Sequence, residues 1–285
     1  MSRRRILGFD DYALIPAGLI GIAGVAVTLS LVLLLSFRVN DNALLGQSFT
    51  LDNYRALMAS LYARVMLRSV LIAGSASLLT ILLAYPAAYF IAMHAGRRQA
   101  LWLSLVTLPF WTSYLLRVFA WKAMLGYNGA LNSALIQLRL IHAPLQSLLY
   151  RPPAVMITLA HAYAAFAVLP IFASLRAIDP RLAQAGSDLG AGPVGVFLRI
   201  ILPLSLPGVA AAFVIVFIPT LGDYATPALV GGLASTMIGN LIEAQFSSVS
   251  NWPLGCALAM LVILTLVLLV LTPALLGRLF RTVAA

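Results

Sequence analysis

The fold of this chain is decided by residues 179–222, which read DPRLAQAGSDLGAGPVGVFLRIILPLSLPGVAAAFVIVFIPTLG. The first half of this stretch is polar and divided by proline and glycine, whereas the second half, from Ile200 to Gly222, is apolar and free of charge. A helix needs about 20 apolar residues to cross ~30 Å of hydrocarbon. The stretch therefore predicts a helical hairpin that leads directly into a transmembrane helix.

The remainder of the chain has the same membrane character. Apolar residues make up 62% of the sequence and charged residues 9%, against about 45–50% and about 25% in soluble proteins. Six apolar runs of spanning length occur: Tyr12–Phe37, Ser69–Met93, Ala100–Trp121 (which contains Arg117), Pro153–Leu175, Ile200–Gly222 and Trp252–Gly277. The first run exceeds the about 7–15 residues of a signal-peptide core and no cleavage site follows it, so we expect it to be retained. We expect an all-α polytopic membrane protein with one transmembrane domain over residues 12–277.

The arginines predict the orientation of these helices. If six helices alternate, one face carries the larger set: Arg3, Arg4, Arg5, Arg97, Arg98, Arg176, Arg181, Arg199, Arg278 and Arg281. The other face carries Arg38, Arg55, Arg64, Arg68, Arg139 and Arg151, mostly in longer loops. The positive-inside rule then places both terminal tails, residues 1–11 and 278–285, in the cytoplasm. Because the basic residues are scattered through loops, the net charge of +10 does not indicate nucleic-acid binding.

Several function classes are excluded or disfavoured by what the sequence lacks. The only lysine is Lys122, which does not follow a glycine, so the phosphate-binding loop of an ATPase is absent. No histidine pair has metal-ligand spacing, and we expect no metal or cofactor on this chain. No acidic residue lies between Asp52 and Asp179, which disfavours an ion-coupled secondary carrier, since such carriers use intramembrane carboxylates.

The polar half of the opening stretch predicts a rigid hairpin over residues 179–199. Asp179 followed by Pro180 is typical of a helix start. Gly190 and Gly192 are predicted to supply the positive φ that ends this helix. Pro193 then starts a second helix, which leads towards the fifth span. Such a hairpin suits a groove on a partner protein, although a hairpin resting on lipid headgroups is an open alternative.

This hairpin resembles the EAA motif, the coupling helix of binding-protein-dependent ABC importer permeases. That signature reads Glu-Ala-Ala, three residues, Gly, nine residues, Ile-x-Leu-Pro. The matching positions are Gln184, Ala185, Gly186, Gly190, Ile200, Leu202 and Pro203, with Asp179, Val194 and Phe197 in the same hairpin. Gln184 replaces the acidic residue and removes its charge, and Gly186 replaces alanine at a cost of about 1 kcal/mol in helix propensity.

Further segments resemble the spermidine/putrescine permease branch of this family. They are Phe49–Tyr54, Leu108–Thr112, Gly126–Asn132, Ile218–Tyr224, Gly231–Gly232, Met237–Asn240 and Asn251–Pro253. The resemblance implies a type I, MetI-like permease fold in the inner membrane. It also implies a second homologous permease, two cytoplasmic ATPase subunits that use ATP and Mg²⁺, and a periplasmic solute-binding protein as partners.

Three polar residues are candidates for the solute pathway. Asp223 and Tyr224 follow Pro219 near the outer end of the fifth span, where a carboxylate beside an aromatic ring suits an ammonium group. The alternative for Asp223 is a structural ion pair with Arg117 or Lys122. Glu243 has the weaker case, because its default interpretation is a solvated loop residue. A polyamine is the leading substrate, and opines, amino-acid derivatives and phosphonates are alternatives within the same family.

Overall fold

The computed structural model describes residues 9–40, 48–145 and 150–283, and side chains within residues 18–269 of these ranges. Most of the predicted N-terminal tail, residues 1–8, lies outside the described residues. The α-helices in the described part are α1 (Phe9–Ser36), α2 (Asp52–Leu57), α3 (Ser60–Met93), α4 (Gln99–Thr107), α5 (Tyr114–Leu125), α6 (Ala130–Gln137), α7 (Pro152–Arg176), α8 (Pro180–Asp188), α9 (Pro193–Val196), α10 (Leu202–Leu221), α11 (Ile238–Ser247) and α12 (Trp252–Val283). Short 3₁₀ turns lie at Gly96–Arg98, Leu108–Trp111 and Leu233–Ser235, and π-turns at Phe197–Ile201 and Pro227–Gly231.

Five helices in the described residues are long and apolar enough to cross a membrane, and a bent pair brings the number to six. The prediction of one continuous third helix over Ala100–Trp121 is wrong. The chain bends there by 85° between Trp111 and Tyr114. Pro109 has no N–H to continue the helix ladder, and Thr112 is extended, with φ −83° and ψ 151°.

The described residues divide into two compact units: those within 1–59 and 242–285 form one, and those within 60–241 form the other. In the first unit α1 packs along α12. Hydrogen bonds between polar side chains and the backbone hold the C-terminal end of α1. The Ser36 and Tyr54 hydroxyls lie 2.6 Å apart. The Asn53 amide donates to the Ser36 and Arg38 carbonyls, both at 2.9 Å.

The second unit is built on the mutual packing of α3, α7 and α10. Small residues dominate the buried faces, including Ala84 and Ala88 on α3 and Ala167 on α7. Small side chains allow the close helix approach from which membrane proteins gain packing energy. A close approach of α7 and α10 occurs at Gly208 of α10, where a Cβ would lie 2.7 Å from the Pro170 carbonyl oxygen of α7.

Buried hydroxyls on α3 are satisfied within the helix. Ser77 and Thr80 each donate to the carbonyl four residues earlier, at 2.7 Å. The hydroxyl hydrogens of Ser77 and Thr80 are therefore used within α3 itself.

Candidate functional site

The predicted hairpin begins where the sequence indicates. Asp179 is the N-cap of α8, and its Oδ1 accepts a hydrogen bond from the Arg181 N–H at 2.9 Å. Pro180 occupies the first helical position, where its missing N–H costs nothing. The start of α8 is therefore confirmed.

The turn of the hairpin depends on one glycine. Gly190 has φ +84°, its N–H donates to the Ser187 carbonyl at 2.9 Å, and the Ala191 N–H donates to the Gly186 carbonyl at 3.1 Å. This pair of bonds is the Schellman arrangement that closes a helix. The expectation that Gly192 also supplies a positive φ is wrong: Gly192 is extended, with φ −66°, and caps α9 instead.

Gly186 has a packing role that the sequence did not indicate. It is buried, and a Cβ at this position would lie 2.5 Å from Ile200 Cδ1 and 3.5 Å from Val196 Cγ2. The absent side chain therefore lets the two arms of the hairpin close on each other. Glycine therefore stands in place of the motif's alanine at the point where α8 closely contacts the π-turn.

The hairpin carries several exposed apolar side chains. They are Leu182 (47% exposed), Leu189 (89%), Val194 (70%) and Leu198 (53%). Gln184 and Ala185 are exposed on α8 as well. Exposed apolar side chains gathered on a short, rigid element are typical of a docking surface.

The inner face of the hairpin is tied to α3 through Phe197. Its ring makes edge-to-face contacts with Tyr85 and Tyr89, with centroids 5.9 and 5.5 Å away. The Tyr85 hydroxyl lies 2.8 Å from the Ser205 hydroxyl on α10. Phe197 opens the π-turn that joins α9 to α10, and Pro203 follows two residues after its end. The hairpin is therefore packed against α3 through Phe197 and is continuous with α10.

A polar cluster lies at the opposite end of α10, around Asp223. This residue is 9% exposed. Tyr114 of α5 donates its hydroxyl to Asp223 Oδ2 at 2.5 Å, and the Ala225 N–H donates to Oδ1 at 3.0 Å. The Thr226 hydroxyl lies 2.5 Å from the Tyr114 hydroxyl, so that Thr226, Tyr114 and Asp223 form a chain of hydrogen bonds.

The alternative interpretation of Asp223, an ion pair with Arg117 or Lys122, is not what the structure shows. Among the side chains that the structure describes, the single ion pair joins Arg55 to Asp52. The Arg117 guanidinium instead donates from Nη1 to the Ala162 carbonyl at 2.7 Å and lies 5.9 Å from the centroid of the Tyr114 ring. The carboxylate of Asp223 is therefore hydrogen-bonded but not neutralised by a neighbouring cation in this part of the chain.

The aromatic partner of Asp223 is Tyr114, not the adjacent Tyr224. The Tyr224 side chain is 53% exposed, and its carbonyl accepts a hydrogen bond from the Asn240 amide at 2.8 Å. Sequence reasoning missed Tyr114 and Thr226. A usable signal was the spacing of Tyr114 and Arg117, which places both on one face of α5. Glu243 is exposed on α11.

The loop that carries Asp223 is held by close backbone packing. A Cβ at Gly239 would lie 2.6 Å from the Gly222 carbonyl oxygen. The Ile238 N–H donates to the Ser69 hydroxyl of α3 at 2.7 Å. The loop after α10 is thereby fixed to α3, which gives the carboxylate a defined position.

No group of three or more potential metal-ligating side chains (His, Cys, Asp or Glu) occurs in the described residues. The chemistry available at the two sites is therefore docking at the hairpin and hydrogen bonding or charge attraction at Asp223. Neither arrangement contains a nucleophile with an adjacent base.

Known proteins resemble this chain over most of its length. Residues 80–284 match the family described as "Binding-protein-dependent transport system inner membrane component". The spermidine/putrescine transport system permease protein PotB of Escherichia coli K12 is 37% identical over 238 residues, which cover 82% of this chain and 86% of PotB. PotB of Haemophilus influenzae is 36% identical over 234 residues, covering 80% of each chain. The permease YdcU of Escherichia coli K12 is 32% identical over 232 residues, covering 77% of this chain and 73% of YdcU.

Solved structures share the fold at low sequence identity. A chain of a bacterial ABC transporter for the import of alginate superposes with a TM-score of 0.73 and 18% identity, covering 94% of this chain and 96% of that chain. A chain of the inward-facing methionine transporter MetNI gives 0.57 and 15%, covering 76% and 94%. Together with the sequence matches, this places the chain in the family of binding-protein-dependent inner-membrane transport components, in the PotB branch, as a multi-pass permease subunit of an ABC importer whose ATP is hydrolysed by separate subunits.

Proposed function

We propose that this permease moves a small cationic amine, with a polyamine such as spermidine or putrescine as the best candidate, into the cell by ATP-driven alternating access. Its partners are a second homologous permease, two cytoplasmic ATPase subunits that bind ATP and Mg²⁺, and a periplasmic solute-binding protein. Both termini lie in the cytoplasm, on the side of the larger arginine set. The observation that carries the substrate proposal is the buried Asp223 carboxylate, which has hydrogen bonds from Tyr114 and Ala225 but no cation within ion-pair distance among the described side chains.

The hairpin is the element to which the ATPase binds. Its exposed leucines and valine form an apolar surface that an ATPase groove can bury, and Gln184 beside them supplies a neutral hydrogen-bonding group in place of a charge. Burial of apolar area supplies the affinity. The neutral glutamine makes this contact less sensitive to salt than an ion pair would be.

Motion of the hairpin is carried into the membrane through packed contacts. Phe197 against Tyr85 and Tyr89 links the hairpin to α3. The close crossing at Gly208 links α10 to α7. Because packed helices with close contacts move as bodies, movement of the hairpin by the ATPases tilts α3, α7 and α10 as a group. The 20 residues of α10 extend this movement over about 30 Å to Asp223.

The substrate candidate follows from the charge at Asp223 and from the relatives. A primary ammonium offers three N–H donors and a positive charge to a carboxylate, and it also binds the face of an aromatic ring. The PotB relatives are named for spermidine and putrescine transport, and both compounds carry such ammonium groups. Asp223 with Tyr114 is therefore the proposed contact for one ammonium group during passage.

Transport by the reconstituted assembly tests this function. The permease, its partner permease, the ATPases and the loaded binding protein are placed in liposomes, and uptake of radiolabelled spermidine is measured with and without ATP. We expect uptake that needs both ATP and the binding protein. ATP-independent uptake would instead support a secondary carrier, and uptake of an opine, an amino-acid derivative or a phosphonate but not an amine would overturn the polyamine assignment.

The substitution Asp223→Asn tests the proposed contact. A hydrogen bond to a charged group contributes about 1.5–3 kcal/mol, so we expect the transport rate or the affinity of the pathway for amines to fall by roughly ten- to one-hundred-fold. Asp52→Asn is the matched control, because its carboxylate is exposed and its pair with Arg55 lies on the surface, where such pairs contribute little. Equal amine transport by both variants would remove Asp223 from the pathway.

A further inference from the structure

Arg117 is a cation with few partners beside the proposed amine site. It lies on α5, one helical turn after Tyr114. Nη1 donates to the Ala162 carbonyl at 2.7 Å, while Nε is buried and has no hydrogen-bond partner among the described residues. No carboxylate lies within ion-pair distance of its guanidinium in that part of the chain.

The Tyr114 side chain is close to both charges. The Arg117 guanidinium carbon lies 5.9 Å from the centroid of the Tyr114 ring, and the hydroxyl of the same ring lies 2.5 Å from Asp223 Oδ2. The phenol thus separates a positive and a negative group that would otherwise be able to pair. The positive potential of Arg117 still reaches the carboxylate, because screening is weak where water is largely excluded.

This arrangement affects any cation that binds Asp223. An ammonium group at the carboxylate gains the attraction of Asp223 and is opposed by the repulsion of Arg117. Two unit charges about 8 Å apart, at an effective dielectric constant of ~20, change an affinity by roughly ten- to thirty-fold. A transport site needs an upper limit on its affinity, because a solute that binds too tightly is not released.

We propose that Arg117 promotes release of the solute in this permease: its fixed charge weakens the hold of Asp223 on an ammonium group. This inference rests on the proposed contact between Asp223 and the amine. The competing explanation is a structural one, in which Arg117 only fastens α5 to α7 through the Ala162 carbonyl. The two explanations differ because the first depends on the charge of residue 117 and the second on its hydrogen bond.

Two substitutions separate charge from hydrogen bonding. Arg117→Gln keeps an N–H donor for the Ala162 carbonyl and removes the charge, whereas Arg117→Lys keeps the charge. Each variant is assembled with its partner permease and ATPases in nanodiscs without the binding protein, and equilibrium binding of radiolabelled spermidine is measured. We expect Arg117→Gln to bind spermidine about ten-fold more tightly than the unaltered complex, with a lower maximal transport rate in liposomes. Arg117→Lys should bind like the unaltered complex.

The double variant Arg117→Gln/Asp223→Asn distinguishes the two proposals. We expect it to lose the gain in affinity, because the carboxylate that Arg117 opposes is gone. If Asp223→Asn alone leaves spermidine binding unchanged, the proposed amine contact fails. If Asp223→Asn weakens binding but Arg117→Gln does not strengthen it, or if the glutamine and lysine variants lose assembly equally, only the release role of Arg117 is overturned.

Discussion

At the scale of single residues, Gly190 and Gly192 lie two positions apart in the same turn, yet only one of them needs the backbone freedom of glycine. Gly190 has φ +84°, and nothing lies within 4 Å of the position of a Cβ there. Position 190 therefore requires glycine because of its backbone conformation, and not because a side chain there would meet other residues. Gly192 has φ −66°, which any residue adopts.

Substitutions at these two glycines test the docking role of the hairpin. Aspartate enters the left-handed region more readily than most residues and has open space at position 190, so Gly190→Asp is expected to fold and insert. It places a charged side chain at the tip of the proposed docking surface. We therefore expect ATP-dependent uptake to be abolished while the amount of protein in the membrane fraction is unchanged.

Gly192→Ala is the control for that experiment, because its backbone angles suit alanine. It should retain uptake close to that of the unaltered protein. Normal uptake by Gly190→Asp would count against the hairpin as the ATPase contact. Loss of the variant from the membrane fraction would show instead that position 190 acts on folding.

At the scale of elements, proline and glycine decide both the breaks and the contacts of the helices. Pro86 and Pro170 lie inside α3 and α7, which continue through them, whereas the segment that contains Pro109 bends by 85° close by. The same residue type therefore has different consequences, because surrounding helices can satisfy the backbone groups that a proline frees. The broken third span brings Tyr114 to the start of a new helix, where its hydroxyl reaches Asp223.

The close contact between α7 and α10 at Gly208 predicts that a larger residue there lowers the stability. Gly208→Ala adds a Cβ at 2.7 Å from the Pro170 carbonyl oxygen and against the Ser174 side chain, and such overpacking costs about 1–3 kcal/mol. We expect a Tm several degrees below that of the unaltered complex. Gly74→Ala on α3 is the matched control, since the nearest atom to its Cβ would be a Phe217 ring carbon at 4.0 Å. A lower Tm for the control than for Gly208→Ala would contradict the close crossing.

At the scale of the whole molecule, two exposed leucines lie in the segments at the two ends of α10. Leu189 at the tip of the hairpin is 89% exposed, and Leu233 in the loop that follows Asp223 is 93% exposed. If α10 crosses the membrane once, these two residues lie on opposite sides of it. The orientation proposed from the arginines then assigns Leu189 to the cytoplasm.

Cysteine labelling checks this orientation. The native Cys256 is buried and is first replaced by alanine. An impermeant maleimide added to whole cells with a permeable outer membrane should label Leu233→Cys and not Leu189→Cys, and inverted vesicles should give the reverse result. Labelling of Leu189→Cys from the periplasm would overturn the coupling role of the hairpin together with the topology.

Much of this architecture could be read from local chemistry. The apolar runs located the membrane helices, since a spanning helix satisfies its own backbone and needs only length and hydrophobicity. Asp179, Pro180 and Gly190 located the hairpin, because caps and positive φ are decided by a few neighbouring residues. Two positions in the hairpin were not predicted in this way: Gly192, which the Schellman closure at Gly190 made unnecessary as a second turn residue, and Gly186, which packs against Ile200.

The sequence by itself determined the class of protein, the number of apolar runs and the position of the hairpin, because these depend on interactions within about one helical turn or on transfer between water and lipid. Only the tertiary structure decided which side chains meet: Tyr114 with Asp223, Gly186 with Ile200, and Arg117 with the Ala162 carbonyl. The members of these pairs are separated by between 14 and 109 positions in the chain. Such contacts are set by how helices cross and where one of them breaks, and hydrophobicity alone does not specify either of these.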